Sequence, residues 1–557
     1  MKLFRKSSPP SSTSASSGDA KERSEGQTIT SAPDHRKPSY SHFDNSPYPL
    51  ATWRTVVMGI LVSMGGLIFG YDTGQISGFL EMQDFLQRFG ELLPDPKNPG
   101  GPPTYQFTNT RSGLIVGLLS IGTLIGALIA APFANAFGRK YSISAWCIVF
   151  SVGVIVQIAA DTKWYEIVVG RWVAGLGIGA LSILVPLYQS ESAPTHVRGA
   201  IVCCYQLFIT VGILFANIVN YGTERIQTTA SWRIPMGIGF LWALVLGVGI
   251  LFFPETPKHN FRKGKPDQAK HTMVKLLGVS DNHRKVALEL AEMKEALEAE
   301  TAGGKPHWWE VFTGPRMAYR TILGVVLQAF QQLTGANFFS TTGPPSSSRL
   351  IILGTVNVVC TFPGLYFVER FGRRISLILG GAWMCMCFLV FASVGHFALD
   401  QTTPQNTPQA GTAMIVFACL FIAAFASTWG PMVWTVTGEL YPSRYRAQCM
   451  ALSTASNWIW NFLIAFFTPF ITSAIDFRYG YVFAACCGAA SVTVYFFLLE
   501  AQGKTLEEVD EMYTLRVKPW KSKGWTTADS ERRLSSVGGP RAGQNGLGHA
   551  EDKDVVS

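Results

Sequence analysis

Apolar runs of about 20 residues alternate along this chain with short polar interruptions. Twelve such runs are readable, centred near residues 63, 122, 151, 176, 210, 242, 329, 359, 386, 424, 460 and 489. At 1.5 Å per residue, about 20 residues of helix cross the roughly 30 Å hydrocarbon layer of a bilayer. Backbone in hydrocarbon has no water to bond, so helices, which satisfy their own N–H and C=O groups, are the expected form. One long polar stretch, residues 257–317, divides the runs six and six. Within it, 267–277 and 284–300 have helical periodicity and strong helix formers, with Gly303-Gly304 as a stop signal.

The predicted fold class is therefore an all-α polytopic membrane protein, about twelve spans in two six-helix bundles joined by a helical linker. The boundaries read as a tail over 1–50, a first bundle over 51–256, the linker over 257–317, a second bundle over 318–500 and a tail over 501–557. Both tails are polar, the first rich in Ser, Pro, Lys and Arg; disorder is expected there, with no cleavable signal peptide and a short helix over 505–512.

Composition agrees with this pattern. Only 15% of residues are charged and 48% are hydrophobic, where a soluble domain carries about 25% charged residues. The basic residues Arg139, Lys140, Arg198, Lys258, Arg262, Lys263, Lys265, Arg370, Arg373, Arg374, Arg444 and Arg446 all fall on one side of the counted spans. The opposite loops are poor in Lys and Arg, and the first carries Glu81, Asp84, Glu91 and Asp95. Positive charge accumulates on the cytoplasmic side, so both termini are expected there. The net charge of +9 is thus a topology signal and not one for nucleic acid. All ten cysteines lie in apolar runs, where they serve as small packing residues, and no His/Cys group has metal-ligand spacing.

The charged interruptions repeat. Glu191-Ser192-Ala193-Pro194-Thr195-His196-Val197-Arg198 and Glu439-Leu440-Tyr441-Pro442-Ser443-Arg444-Tyr445-Arg446 share Glu-x-x-Pro-x-x-x-Arg, 248 positions apart. Phe137-Gly138-Arg139-Lys140 and Phe371-Gly372-Arg373-Arg374 lie 234 positions apart. Ordered repeats at nearly one offset indicate internal duplication, an architecture of carriers with a site between the halves. Arg139, Glu191, Arg198, Glu369, Arg373, Glu439 and Arg446 are candidates for a cytoplasmic charge lock, against plain surface anchoring as the alternative.

Two charges stand at membrane depth, Asp72 and Arg171. An ionisable group there costs at least about 2.5–3.5 kcal/mol on insertion scales and seeks a partner. The pair reads equally as a proton-coupling switch or as a permanent ion pair between two helices. Gln206, Gln331, Gln332, Asn337, Asn357, Asn457 and Asn461 bring amides into apolar runs, and Trp434 and Trp458 bring flat apolar faces. An unpaired buried amide costs about 1–3 kcal/mol. Such groups suit sugar hydroxyls, which donate and accept, or else bond helix to helix. Gly175-Leu176-Gly177-Ile178-Gly179 lies inside an apolar run with no preceding strand, so it is read as close helix packing. Trp429-Gly430-Pro431 is expected to interrupt the tenth span.

Taken together, these residues resemble the sugar porter family of the major facilitator superfamily, and among its members fungal hexose transporters and the related glucose sensor-like group. The motifs are Phe69-Gly70-Tyr71-Asp72-Thr73-Gly74, Gly138-Arg139-Lys140, Gly170-Arg171, Pro254-Glu255-Thr256-Pro257-Lys258, Gln331-Gln332-Leu333-Thr334-Gly335-Ala336-Asn337, Glu369-Arg370-Phe371-Gly372-Arg373-Arg374 and Gly438-Glu439-Leu440-Tyr441-Pro442. The resemblance implies alternating access around a central sugar site formed by Gln206, Gln331, Gln332, Asn337, Asn357, Trp434, Asn457 and Trp458, with Asn461 a weaker candidate. It also implies Asp72 and Arg171 as the coupling pair of proton-linked relatives.

Two departures stand out. Asn135 replaces the family's usual Asp. After Asn337-Phe338-Phe339, relatives continue Phe-Tyr-Tyr-Gly, whereas this chain reads Ser340-Thr341-Thr342-Gly343-Pro344-Pro345-Ser346-Ser347-Ser348-Arg349. Codons for Phe-Tyr-Tyr read one base late give Ser-Thr-Thr, so residues 340–349 are expected to reflect a frame or splice-model error. If the stretch is genuine, damage is expected in the outer half of the seventh helix and the start of the eighth.

The function expected is monosaccharide transport, of glucose or another hexose, across the plasma membrane. Proton symport is the first reading, with passive uniport and a non-transporting glucose receptor as alternatives. No enzyme activity, cofactor, nucleic acid or obligate protein partner is expected; the proton is a candidate co-substrate, and sugar and bilayer are the expected partners.

Overall fold

The computed structural model describes Asp44 and residues 52–94, 102–194, 197–302, 309–314, 316–341, 347–400, 407–442, 445–504 and 506–525. The first bundle contains α1 (Trp53–Phe79), α2 (Asn109–Phe137), α3 (Arg139–Ala159), α4 (Trp164–Ser192), α5 (Arg198–Thr223) and α6 (Ala230–Gly249). The second contains α7 (Met317–Leu333), α8 (Ser347–Arg370), α9 (Arg373–Ser393), α10a (Pro408–Ser427) with α10b (Trp429–Leu440), α11 (Arg446–Ile475) and α12 (Tyr479–Phe497). Side-chain caps begin several helices: Thr52 accepts from Thr55 N, and Thr108 accepts from Arg111 N. All but α7 and α8 fall in segments long and apolar enough to span a bilayer by themselves.

The duplication appears in the packing. In the first half α1 packs on α5, α2 on α4 and α3 on α6; in the second α7 packs on α11, α8 on α10a and α9 on α12. Each half also has its own apolar core. One cluster, including Leu327, Phe388, Phe421, Trp429 and Phe483, lies in the second half and its flanking segments and contains no residue of the first. Two others, around Phe150 and Leu184 and around Phe85 and Trp232, belong to the first. Burial inside each half makes it a body that can move as a unit. Ile148, Leu379, Val359 and Val492 instead point outward and are exposed, the inverse of a soluble surface and the expected dress of a lipid-facing one.

Two faces of the bundle are distinguishable. One carries the linker helices Pro257–Arg262, Pro266–Leu277 and Arg284–Ala302, close to the predicted bounds. The other carries helix Gln83–Phe89 and a small hairpin of β1 (Glu91–Leu93) and β2 (Thr104–Gln106), paired antiparallel with Glu91 opposite Gln106. These are called the linker face and the hairpin face below. The linker is tied to α1, since the hydroxyls of Thr52 and Thr55 both donate to Leu276 O at 2.9 Å.

The seventh span is shorter than its apolar run predicts. α7 stops at Leu333, the backbone turns through Gly335 at φ +79°, and a one-turn helix Phe338–Thr341 follows. Phe338 and Phe339 bury themselves among Phe388, Phe391, Phe421 and Phe483, which fixes that turn. Residues 342–346 of the anomalous stretch lie outside the described residues, as does the first tail apart from Asp44. α8 runs 24 residues from Ser347. The tenth span breaks at Thr428 (φ −130°, ψ −82°), just before Trp429-Gly430-Pro431. The Gly175/Gly177/Gly179 run is packing, since a Cβ on any of the three would overlap backbone or side-chain atoms of α2 or α3.

Candidate functional site between the two halves

Helical spacing gathers the amides. Gln328, Gln331 and Gln332 stand at i, i+3 and i+4 on α7, and Asn457 and Asn461 at i, i+4 on α11, so each set shares a face. The two faces meet as one hydrogen-bonded relay. Ser120 Oγ on α2 donates to Asn461 Oδ1 at 2.6 Å, and Asn461 Nδ2 donates to Gln332 Oε1 at 3.0 Å. Gln332 Nε2 donates to Asn457 Oδ1 at 3.0 Å; Asn457 Nδ2 donates to Gln331 Oε1 at 2.7 Å and Gln328 Oε1 at 2.8 Å. Gln331 Nε2 then donates to Gly430 O at 2.9 Å and Trp429 O at 3.1 Å, binding carbonyls beside the break in the tenth span.

The predicted ligand set thus divides. Gln331 (5% exposed) and Asn457 (2%) are buried, with both ends of their amides engaged inside the second half. Gln332 is half-buried and links them to Asn461. Asn337 is exposed, because the chain has left the helix by then; it donates to Gln332 Oε1 at 3.4 Å. Gln206 on α5 and Asn357 on α8 are half-buried, and among the described residues their side chains make no hydrogen bond. Gln206 faces the second half: a Cβ on Gly430 would lie 3.9 Å from its Nε2. Trp434 is half-buried, while Trp458 is buried edge-on against Phe69 of α1, with ring centroids 5.5 Å apart.

Asp72 and Arg171 are brought together on α1 and α4, at 0% and 1% side-chain exposure. Asp72 Oδ2 lies 3.7 Å from Arg171 Nη1, too long for a hydrogen bond, and Asp72 Oδ1 accepts from Gln75 Nε2 at 3.0 Å.

The linker-face charges pair within each half. Arg139 Nε lies 3.0 Å from Glu191 Oε2, and Arg373 Nη2 donates to Glu439 Oε1 at 2.8 Å. Arg446 donates to Gly438 O. The side chains of Arg198 and Glu369 lie outside the described residues, and Asn135 is exposed. Among the described residues, none of these ion pairs joins one half to the other.

Reading by spans and repeats missed Glu255 and Glu500. Glu255 accepts from Arg139 N at 3.0 Å and Lys140 N at 3.1 Å; Glu500 accepts from Arg373 N and Arg374 N, both at 3.0 Å. Each carboxylate lies against the unpaired N–H groups at the start of α3 or α9, where the helix dipole favours negative charge. Gly138 (φ +97°) and Gly372 (φ +87°) turn the backbone there, in a conformation that disfavours side chains. The overlooked signal was positional: each Glu follows the last apolar run of its half. His259 was missed too; Arg139 Nη1 lies 2.8 Å from its Nδ1. Gln328 was legible as the residue one turn before Gln331.

The halves are fastened toward the hairpin face. Hydrogen bonds between them include Ser120–Asn461 near mid-span, Asn109 Nδ2 to Ser473 Oγ at 3.0 Å, and Asn217 Nδ2 to Leu350 O at 3.2 Å, and Arg349 at the start of α8 interacts electrostatically with Glu81 of the first half. Apolar contact follows the same line, α2 on α11 and α5 on α8, with Gly113 against Phe466, Gly117 against Phe462 and Gly354 against Leu214. Glycine permits the close approach.

Comparison with known proteins places this geometry. A family model described as "Sugar (and other) transporter" matches residues 58–513. The high-affinity glucose transporter ght2 of Schizosaccharomyces pombe is 42% identical over 489 residues, 86% of this chain and 91% of that protein. The high-affinity fructose transporter ght6 of the same organism is 44% identical over 84% of this chain and 88% of its own length. Hexose transporter HXT10 of Saccharomyces cerevisiae is 41% identical over 86% and 88%. In fold, the chain is similar to the inward-open xylose transporter XylE from E. coli, with a TM-score of 0.67 and 24% identity over 82% of this chain and 99% of that one. With its two six-helix halves and a family match over most of its length, the chain belongs to the "Sugar (and other) transporter" family.

Proposed function

We propose that the chain carries a hexose across the plasma membrane by alternating access, with the linker face and both termini in the cytoplasm. The observation that carries the reading is the pairing of spent and unspent amides. Gln331 and Asn457 are used up in shaping the second half, while Gln206 and Asn357 keep hydrogen-bonding capacity. Sugar hydroxyls would take the free amides of Gln206 and Asn357, with Gln332 and Asn337 exchanging their long 3.4 Å contact for sugar and Trp434 supplying an apolar face. Relatives named for glucose, fructose and hexose support the substrate class.

The fastening at the hairpin face supports a cycle in which the halves part there to admit sugar and close again behind it. The charge pairs of the linker face would fasten the opposite end in the other state, with Arg139, Glu191, Arg198, Glu369, Arg373, Glu439 and Arg446 as the lock.

Proton symport is the mechanism we favour, with Asp72 as the proton site and Arg171 as its counter-charge. The loose 3.7 Å approach supports a pair that separates on protonation. A passive carrier is the second reading, favoured by the placement of both residues within one half, with no described hydrogen bond to the amide relay. Labelled glucose uptake in a host lacking its own hexose carriers, with and without an uncoupler, tests both. Symport gives accumulation above equilibrium, which the uncoupler and Asp72→Asn abolish; uptake that stops at equilibrium in the unmodified chain overturns symport.

A further inference from the structure

Beyond α12 the chain folds back beneath the linker-face end of the second half. Glu500 N donates to Ser522 Oγ at 2.9 Å, Ser522 Oγ donates to Pro519 O at 2.6 Å, and Lys504 Nζ donates to Trp525 O at 2.7 Å. Val517, Ser522 and Trp525 are buried by this arrangement, and the one-turn helix Pro519–Lys521 packs on α12. The segment is therefore a strap with an inward row and an outward row. The outward row is Lys518, Trp520, Lys521 and Lys523, all exposed. Residues 516–525 contain four basic side chains and no Asp or Glu.

The row continues a surface already committed to lipid. The last residues of α12, Tyr495, Phe496 and Phe497, are about half exposed on the apolar flank. Cations accompany aromatic rings at this end of the second half: Arg374 lies 5.2 Å from the Tyr495 ring, Arg370 5.7 Å from Tyr366, and Lys518 5.7 Å from Trp520. Indole and phenol rings partition to the water–lipid boundary, and basic side chains there reach outward to headgroups. The first half has no such strap, since after α6 its chain enters the linker helices.

We propose that Lys518, Trp520, Lys521 and Lys523 form a docking surface for anionic phospholipid headgroups. The lysines contact phosphate and carboxylate oxygens, and Trp520 sits at headgroup level beside the α12 aromatic residues. Charge complementarity and continuity with the lipid-facing flank select a bilayer over a soluble acidic protein. The inference goes beyond hexose transport and takes from that reading only which leaflet the strap meets. Because Ser522 bonds Glu500, and Glu500 caps α9, occupancy of the row also steadies the start of α9.

Native mass spectrometry of the detergent-solubilised full chain tests this, with phosphatidylserine and phosphatidylcholine titrated in parallel. Near an anionic surface each lysine contributes on the order of fivefold in binding, so K518Q/K521Q/K523Q should lower phosphatidylserine retention by about a hundredfold. Phosphatidylcholine retention should not change, and W520A should lower retention of both lipids. Equal thermal unfolding of each variant and the unmodified chain in phosphatidylcholine confirms that the fold is intact. The proposal is overturned if the unmodified chain retains both lipids equally or if the triple variant keeps the serine-lipid preference. It is also overturned if glycerophosphoserine, the headgroup without acyl chains, competes as well as the lipid, since the row would then hold a soluble anion.

Discussion

Gly113 is where the closing of the hairpin face can be perturbed with least collateral change. It lies near the start of α2, and a Cβ there would stand 2.7 Å from Phe466 O and 3.1 Å from the Phe466 ring on α11. Ordinary carbon–oxygen contact is about 3.4 Å, so Gly113→Val must hold the halves about 0.7 Å or more further apart at this point. Overpacking of this kind costs about 1–3 kcal/mol. The intrinsic helix preference of Val over Gly does not offset it, because α2 is helical whether the halves are fastened or parted, and the preference cancels in the difference. The fastened state should lose roughly 5- to 150-fold in relative population. Labelled sugar binding from the hairpin side and initial uptake should be measured together in vesicles. Binding should survive, uptake should fall toward that factor, and Gly113→Ala should lie between Val and the unmodified chain. Unchanged uptake by a folded Val variant would refute the argument, as would loss of binding in parallel with uptake.

Three further outcomes follow from other contacts. Asn457→Leu leaves Gln328, Gln331 and Gln332 without a shared partner; at about 1–3 kcal/mol per stranded group, thermal unfolding should fall by several degrees or more, and an unchanged midpoint would remove the relay from the stability account. Glu500→Gln keeps the size but withdraws the negative charge from three backbone N–H groups; a loss of about 1–3 kcal/mol is expected, with a similar loss for Glu255→Gln, and calorimetry on both variants checks the symmetry. His259, outside the spanning segments, has its pKa lowered by burial first and then by Arg139 and Lys263, against the opposing pull of Glu255 and Glu191. A folded pKa below the unfolded value of about 6.5 means its stabilisation is full above that pH and declines as pH falls through it. Between pH 7.5 and 5.5 the unmodified chain should therefore lose more stability than His259→Asn, and equal slopes would count against it.

The large architecture was legible because each feature leaves a strong mark. Twelve apolar runs, the doubled Gly-Arg turns and the polar linker fix the two halves, and Gly430-Pro431 marks the break that appears at Thr428. The seventh helix was harder. Its apolar run continues past Leu333, and only the burial of Phe338 and Phe339 in a distant aromatic cluster shows where the chain turns. The buried amides were legible as a set, but which of them bond one another was not, because an amide bonded to another amide has the same donors and acceptors as one with no such partner. Gln331 and Gln206 differ only in what surrounds them. Most of the fastening of the hairpin face left no charge signal, since most of its described partners are glycines, phenylalanines and neutral hydroxyls and amides; Arg349, which feels the charge of Glu81 across the halves, is the exception.

Gln206→Leu removes the amide on which the proposed sugar site between the halves depends. Gln206 carries no hydrogen bond among the described residues, so its replacement removes no internal contact of that kind. Thermal stability and abundance in the membrane should be unchanged, while saturable uptake of labelled glucose in a host without its own hexose carriers should weaken at least about tenfold. Uptake equal to that of the unmodified chain, in amount and in concentration dependence, would contradict a sugar site between the two halves at this amide.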